Sequence, residues 1–136
     1  MSAPDVNLGG AVFTALKAHA PLTALVGTRI YDAGDVPKSA AFPYLTVQPA
    51  QCSEDDDACG QHWLASVQVD VWSRKSGNTL EARSILGPVR AALDSITSVS
   101  GFGLNYGQYR LHRTTLEQDH LTAHGLVQYE FHLSAL

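Results

Sequence analysis

The sequence predicts a single α+β domain spanning residues 1–136, with a mostly antiparallel sheet of about four to five strands packed against two helices. Three observations predict it. Val67, Val69 and Val71 alternate with Gln68, Asp70 and Trp72, the period of a strand with one apolar and one more polar face. After a turn at Ser76 to Asn78 the period changes, and Ala82, Ile85, Leu86, Val89, Leu93 and Ile96 fall three or four apart on one helical stripe. Near the end, Val127, Tyr129, Phe131 and Leu133 alternate with Gln128, Glu130 and His132, which marks a second half-buried strand. No repeat, low-complexity tract or linker divides the chain, and its 136 residues suffice to bury a core without metals or disulfides.

Taken in order, Asp5 is placed to cap a first helix reaching about His19, with Leu8, Val12, Ala15, Leu16 and His19 on one side. Gly9 and Gly10 each cost about 1 kcal/mol relative to Ala inside a helix, so either the helix starts after them or another backbone comes close there. Pro21 ends this element, and Leu22 to Val26 reads as one more helical turn closed by Gly27. Arg29 to Tyr31 reads as a short edge strand. Ala33 to Phe42 carries Gly34 and Pro37, is followed by Pro43 and has no apolar period, so it is a surface loop. Tyr44 to Gln51 is extended and pairs with His62 to Trp72, with Gln51 to Gln61 as a protruding tip too long for a tight turn. Asn78 is the expected N-cap of the next helix, and Glu81 completes something close to a capping box. Thr97 to Gly103 is a turn region. Tyr106 to Leu116 begins another strand, with Tyr109, Leu111 and Arg113 facing one way, and Leu126 to Leu133 is the last.

Charged residues are only 16% of the chain and the net charge is −4, with the nine Lys and Arg scattered. A domain that holds nucleic acid by its phosphates needs those cations clustered, so such a grip is disfavoured. No apolar run approaches the roughly 20 residues that span a bilayer, and the N-terminus lacks a charged-then-apolar pattern, so no membrane partner is expected and the protein is expected to fold in the cytoplasm. An enzyme reading finds no support: there is no Gly-x-Ser-x-Gly elbow, no phosphate-cradling glycine loop in a strand-to-helix context, and no cofactor motif.

The most metal-like cluster is Cys52, Cys59 and His62, with the acidic run Glu54, Asp55, Asp56 and Asp57 between them. Structural zinc favours cysteine pairs two to four residues apart and a second pair elsewhere, which this loop does not offer. Three readings stay open: a metal- or ligand-binding module, a Cys52–Cys59 disulfide across the neck of the tip, or two free thiols. The acidic run is either a solvated tip or a contact element. His120 and His124 have the spacing of a helical metal pair but fall in a connection between strands. Trp72, on the polar face of its strand, needs a cover from this chain or another. Arg83 and Arg90 lie nearly on one side of the helix, and Arg90 and Asp94 are spaced for an i to i+4 pair.

Four segments carry a family resemblance: LTALVGTRIYD at Leu22 to Asp32; the loop from Pro37 leading into PYLTVQ at Pro43 to Gln48; QVDVWSR at Gln68 to Arg74; and EARSILGPVRAAL at Glu81 to Leu93. In these segments and their order the chain resembles the tail-completion or tail-terminator proteins of long-tailed phages and gene-transfer-agent-like particles. It departs from that pattern at Pro88, inside a helix usually left intact, and in the loop between Cys52 and Cys59. The resemblance implies a structural virion protein, not an enzyme. It implies a homo-oligomeric ring, hexameric by analogy, that caps the head-proximal end of the tail tube and ends tube polymerisation. The tail tube protein and a head-completion or stopper protein are the implied partners, with DNA passing through the lumen without specific binding. On that reading Trp72, Arg83 and Arg90 are candidate interface residues, and Glu54 to Asp57 a candidate lumen or ring-contact loop.

Overall fold

A computed structural model describes residues 4–48, 51–56, 60–75 and 77–136. The elements are α1 (Asp5–Ala18), α2 (Ala20–Val26), β1 (Ile30–Asp32), β2 (Tyr44–Val47), β3 (Gln51–Glu54), β4 (His62–Ser73), α3 (Leu80–Asp94), β5 (Phe102–Leu116) and β6 (Ala123–Ala135). The α+β class stands, but the count is three helices and a six-stranded sheet among the described residues, not two helices and four to five strands. The sheet is mixed, in the order β1-β2-β4-β6-β5, with β3 also pairing β4; β1 and β2 run parallel and every other pair antiparallel.

Each difference has a local cause. The third helix arises because His19 is extended and Pro21 sits in the first turn of α2, where a missing N–H costs nothing; Pro21 starts a helix instead of ending one. The extra strand lies in the expected tip: the extended run ends at Val47, and Gln51–Glu54, the first part of the segment from Gln51 to Gln61, forms β3 against β4 instead of protruding. Val47 pairs Val69 while Gln51 pairs Ser66, so three residues separate these pairs on one side and two on the other. That span contains Pro49, which has no N–H to give a ladder, and which with Ala50 lies outside the described residues.

α1 begins before its glycines and runs through them, and nothing lies within 4 Å of where a Cβ on Gly9 or Gly10 would sit, so neither the late start nor the close approach holds. Asp5 is the first helical residue and makes no cap; the Leu8 N–H donates to the Pro4 carbonyl. Leu8, Val12 and Leu16 form its buried stripe. α3 continues through Pro88. The carbonyl that Pro88 leaves without a helical donor belongs to Ser84, which is exposed, so water can satisfy it. Asn78 Oδ1 accepts from the Leu80 N–H at 3.0 Å and so caps from one residue before Thr79, whereas Glu81 closes no capping box and takes the Ser73 hydroxyl at 2.6 Å.

One core joins the helices to one face of the sheet: Leu8, Val12, Leu16, Leu22, Val26, Ile85, Val89 and Leu93 against Leu45, Val69, Val71, Val127, Phe131 and Leu133. Gly107 makes room in it, since a Cβ there would stand 2.9 Å from the Tyr129 ring and 3.1 Å from that of Phe131. Register shifts at Leu104/Tyr106 and Tyr109/Leu111 break the alternation of β5, so Tyr109 pairs inward-facing Tyr129 while Leu111 pairs outward-facing Gln128. Tyr109 and Leu111 therefore do not share a face. Among the described residues the other face of the sheet carries no helix.

Candidate interaction surface

The helix-free face is built around a buried carboxylate. Asp70 is 1% exposed, although it lies on the polar side of β4. Gln48 Nε2 donates to it at 3.0 Å from beyond β2, Gln68 Nε2 at 2.9 Å from the same strand, and His124 Nε2 lies 2.8 Å away on β6. A carboxylate accepts several hydrogen bonds and donates none, so one charge here holds three strands in register. Gln128 Nε2 extends the network to Gln68 Oε1 at 3.0 Å, and His124 Nδ1 reaches Glu117 at 3.2 Å.

Trp72 lies at one end of this face, half-buried. Its indole is parallel to the His124 ring at 4.0 Å between centroids and at 27° to Tyr44 at 6.5 Å, and its Nε1–H donates to Thr46 Oγ1 at 3.0 Å. Tyr31 and Phe42 complete the aromatic row around Tyr44, and the Arg74 guanidinium lies 4.8 Å from the Phe42 ring centre. Burial pushes the Tyr44 hydroxyl above its ordinary pKa, Arg74 opposing and Tyr31 adding to the shift. Arg74 also reaches Thr122 and Asp119. Asp119 accepts from the backbone N–H groups of Thr122 and Leu121 and from the Thr122 hydroxyl, and together with Arg74 these hold its pKa down to about 2.

At the opposite end, His132 stacks between His62 and Tyr106, and its Nε2 lies 3.3 Å from Asp55 Oδ2. The His62 N–H donates to Asp56 Oδ1 at 3.1 Å. Glu54 belongs to β3 and Asp55 N–H donates to the His62 carbonyl, so the acidic stretch is tied to the sheet as far as Asp56. Asp57 lies outside the described residues.

The cysteine and histidine of the metal-like cluster part company. Cys52 pairs Ala65 and packs toward the core, while His62 stacks on His132 across the sheet on the helix-free face. Burial, then the Asp5 carboxylate, raises the Cys52 thiol pKa. Among the described residues no three His, Cys, Asp or Glu side chains group as a metal site. Cys59, and with it the disulfide reading, lies outside the described residues. His120 and His124 do not form a helical pair: His124 is in β6, and His120 takes a left-handed backbone in the turn before it.

Arg83 and Arg90 are exposed on α3, where with Tyr109 and His112 of β5 they line a groove between the helix and the sheet. Arg83 Nε donates to Thr79 Oγ1 at 3.2 Å. Arg90 is engaged within the chain, 3.7 Å from Asp94 and over the Tyr109 ring at 3.9 Å, while Tyr109 hydrogen-bonds His112. Asp94 in turn accepts from the Tyr129 hydroxyl at 2.6 Å, and burial, then Asp94, pushes that phenol up to about 12. Sequence reasoning missed this link and the Asp70 network, because each joins residues from distant strands and helices. No helix among the described residues is long and apolar enough to cross a membrane.

Helices confined to one face of the sheet, and an opposite face ordered by side-chain networks, define a two-layer α+β protein. Residues 10–134 match the family described as tail completion protein gp17, and the chain belongs to that family. It is a structural tail protein and not an enzyme. Among solved structures it is similar to a chain of the virion of a native gene transfer agent particle, with a TM-score of 0.87, 21% identity, and coverage of 99% of this chain and 100% of that one. It is also similar to the gp17 protein of bacteriophage SPP1, with a TM-score of 0.58, 18% identity, and coverage of 93% and 88%. No curated protein matches the sequence.

Proposed function

We propose that this protein closes the head-proximal end of a tail tube as a ring of identical subunits, hexameric by analogy, in a phage or gene-transfer-agent-like particle. The ring ends tube polymerisation on one side, offers its other side to a head-completion or stopper protein, and lets DNA pass without gripping it. The observation that carries this reading is the agreement of fold over the whole length of both chains with a component of a gene transfer agent virion. The net charge of −4 fits a lumen that repels a sliding polyanion. Closure requires each subunit to present two unlike, complementary surfaces, so that contact is heterologous. Trp72 on the open face and Arg83 on α3 are proposed contact residues; Arg90 contributes through the face it shares with Asp94 and Tyr109.

Native mass spectrometry of the free protein, with electron microscopy of intact tails, tests the reading. A closed ring in either setting is the expected result. An isologous dimer in both, or labelled protein found anywhere but the head-proximal end of the tail, would overturn it.

A further inference from the structure

We infer that the subunits of the assembly are joined sheet edge to sheet edge, β5 of one copy pairing antiparallel with β3 of the next; this rests on the ring reading above. The sheet ends on one side in β5, a strand of 15 residues lying at the end of the strand order and largely exposed. A long edge strand presents a row of backbone donors and acceptors that templates another strand unless something blunts it. β5 carries no proline or lysine; its two register shifts and its arginines interrupt the edge only locally, and it exposes Tyr106, Leu111 and Leu116.

Its charge is of one sign. Between Phe102 and Leu116 stand Arg110 and Arg113, and no acidic residue. The opposite edge carries the other sign: Gln51 to Asp56 holds Glu54, Asp55 and Asp56 with no basic residue, and the outermost strand β1 adds Asp32. Arg110 lies 3.4 Å from Glu130 and Asp55 3.3 Å from His132 within the chain, but both side chains are about half exposed or more and keep unused hydrogen-bonding capacity.

Strand direction agrees. β3 and β6 both run antiparallel to β4, and β5 runs antiparallel to β6, so β5 and β3 are opposed. A rotation that carries one sheet alongside the next, without inverting it, therefore brings β5 against the neighbour's β3 as an antiparallel pair. Self-pairing of two β5 strands would set two arginine-bearing edges together with no acid on either, which like-charge repulsion opposes. The edges thus favour head-to-tail contact with a second copy over a two-fold dimer.

The test compares four full-length chains: wild type, Arg110→Glu/Arg113→Glu, Glu54→Lys/Asp55→Lys, and one chain carrying all four changes. Each is checked for a native circular dichroism spectrum and a monomer thermal midpoint close to wild type. Association is then read by native mass spectrometry and by occupancy of purified tail-tube ends. Each paired reversal alone should weaken association on the order of tenfold or more, and the fourfold chain should regain most of it. Arginine reversals that assemble like wild type, or a fourfold chain no better than either paired reversal, would overturn the edge pairing while leaving the ring intact. A wild-type chain that forms no ring in either setting would instead remove the ring reading itself.

Discussion

Replacing Asp70 by alanine should destabilise the isolated subunit far more than its place on a polar strand face suggests. The carboxylate is 1% exposed and takes hydrogen bonds from Gln48 and Gln68 at 3.0 and 2.9 Å, with His124 at 2.8 Å. Bonds to an ionised acceptor contribute about 1.5–3 kcal/mol each when made, but the partners are only partly buried and recover some of that from water. Removing one member of a buried charged network typically costs about 3–5 kcal/mol, so roughly 3 kcal/mol is expected here. Urea unfolding followed by circular dichroism would measure it, with Asp70→Ala, His124→Ala and the double variant closing a cycle. A coupling of about 1–2 kcal/mol between Asp70 and His124 is expected. A loss below about 1 kcal/mol for Asp70→Ala, or strict additivity with His124→Ala, would refute the claim that this carboxylate organises the open face.

Tyr129, with its phenol pushed up to about 12 by burial and by Asp94, binds its proton more tightly folded than unfolded. Its contribution is complete below the unfolded value near pH 10 and is lost as pH rises through about 12, so stability should fall across that window. Tyr129→Phe should reduce the fall and cost about 1–2 kcal/mol at neutral pH, read by chemical unfolding at a series of pH values. Gly107→Ala should cost about 1–3 kcal/mol, because the new methyl meets the Tyr129 and Phe131 rings; a thermal midpoint equal to wild type would show that the rings give way freely. Trp72→Ala should cost the monomer about 1–2 kcal/mol through loss of the His124 stack and the Thr46 bond, and should weaken ring formation or tail attachment by about 2 kcal/mol or more. Monomer loss with unchanged assembly would assign Trp72 to the subunit alone.

The parts of the fold that repeat a period over many residues were legible in the sequence. Val67, Val69 and Val71 are buried as their alternation requires, as are Tyr129, Phe131 and Leu133, and the α3 stripe from Ala82 to Leu93 faces the core. Short elements and irregular ones were not. Proline punctuates without saying which side it ends, and Pro21 works as a helix start. A single unpaired residue in a strand reverses the faces beyond it, which is why Tyr109 and Leu111 part company although their spacing says they should agree. The open face was least legible. Asp70 reads locally as an ordinary exposed acid, and its burial depends on Gln48, 22 positions earlier, and His124, 54 positions later. The metal-like spacing of Cys52 and His62 failed for a related reason: Cys52 stands opposite Ala65, an inward position of β4, whereas His62 is an outward position of the same strand, so their side chains take opposite faces.

A helix-free sheet face poses a physical problem that the Asp70 network answers. An apolar face left open would associate indiscriminately, while a face of loosely solvated side chains would have to be ordered at the moment of assembly, at a cost of about 0.5–1.5 kcal/mol for each long side chain immobilised. Here Gln48, Gln68, Gln128 and His124 are already fixed by one another and by Asp70, and Trp72 is already seated on His124. Much of that ordering is met when the subunit folds. The face stays polar enough for the free subunit and rigid enough to meet a partner with little further loss of freedom. On this argument the buried carboxylate acts at two levels, setting the register of β2, β4 and β6 in the subunit and preorganising the surface that the subunit brings to the particle.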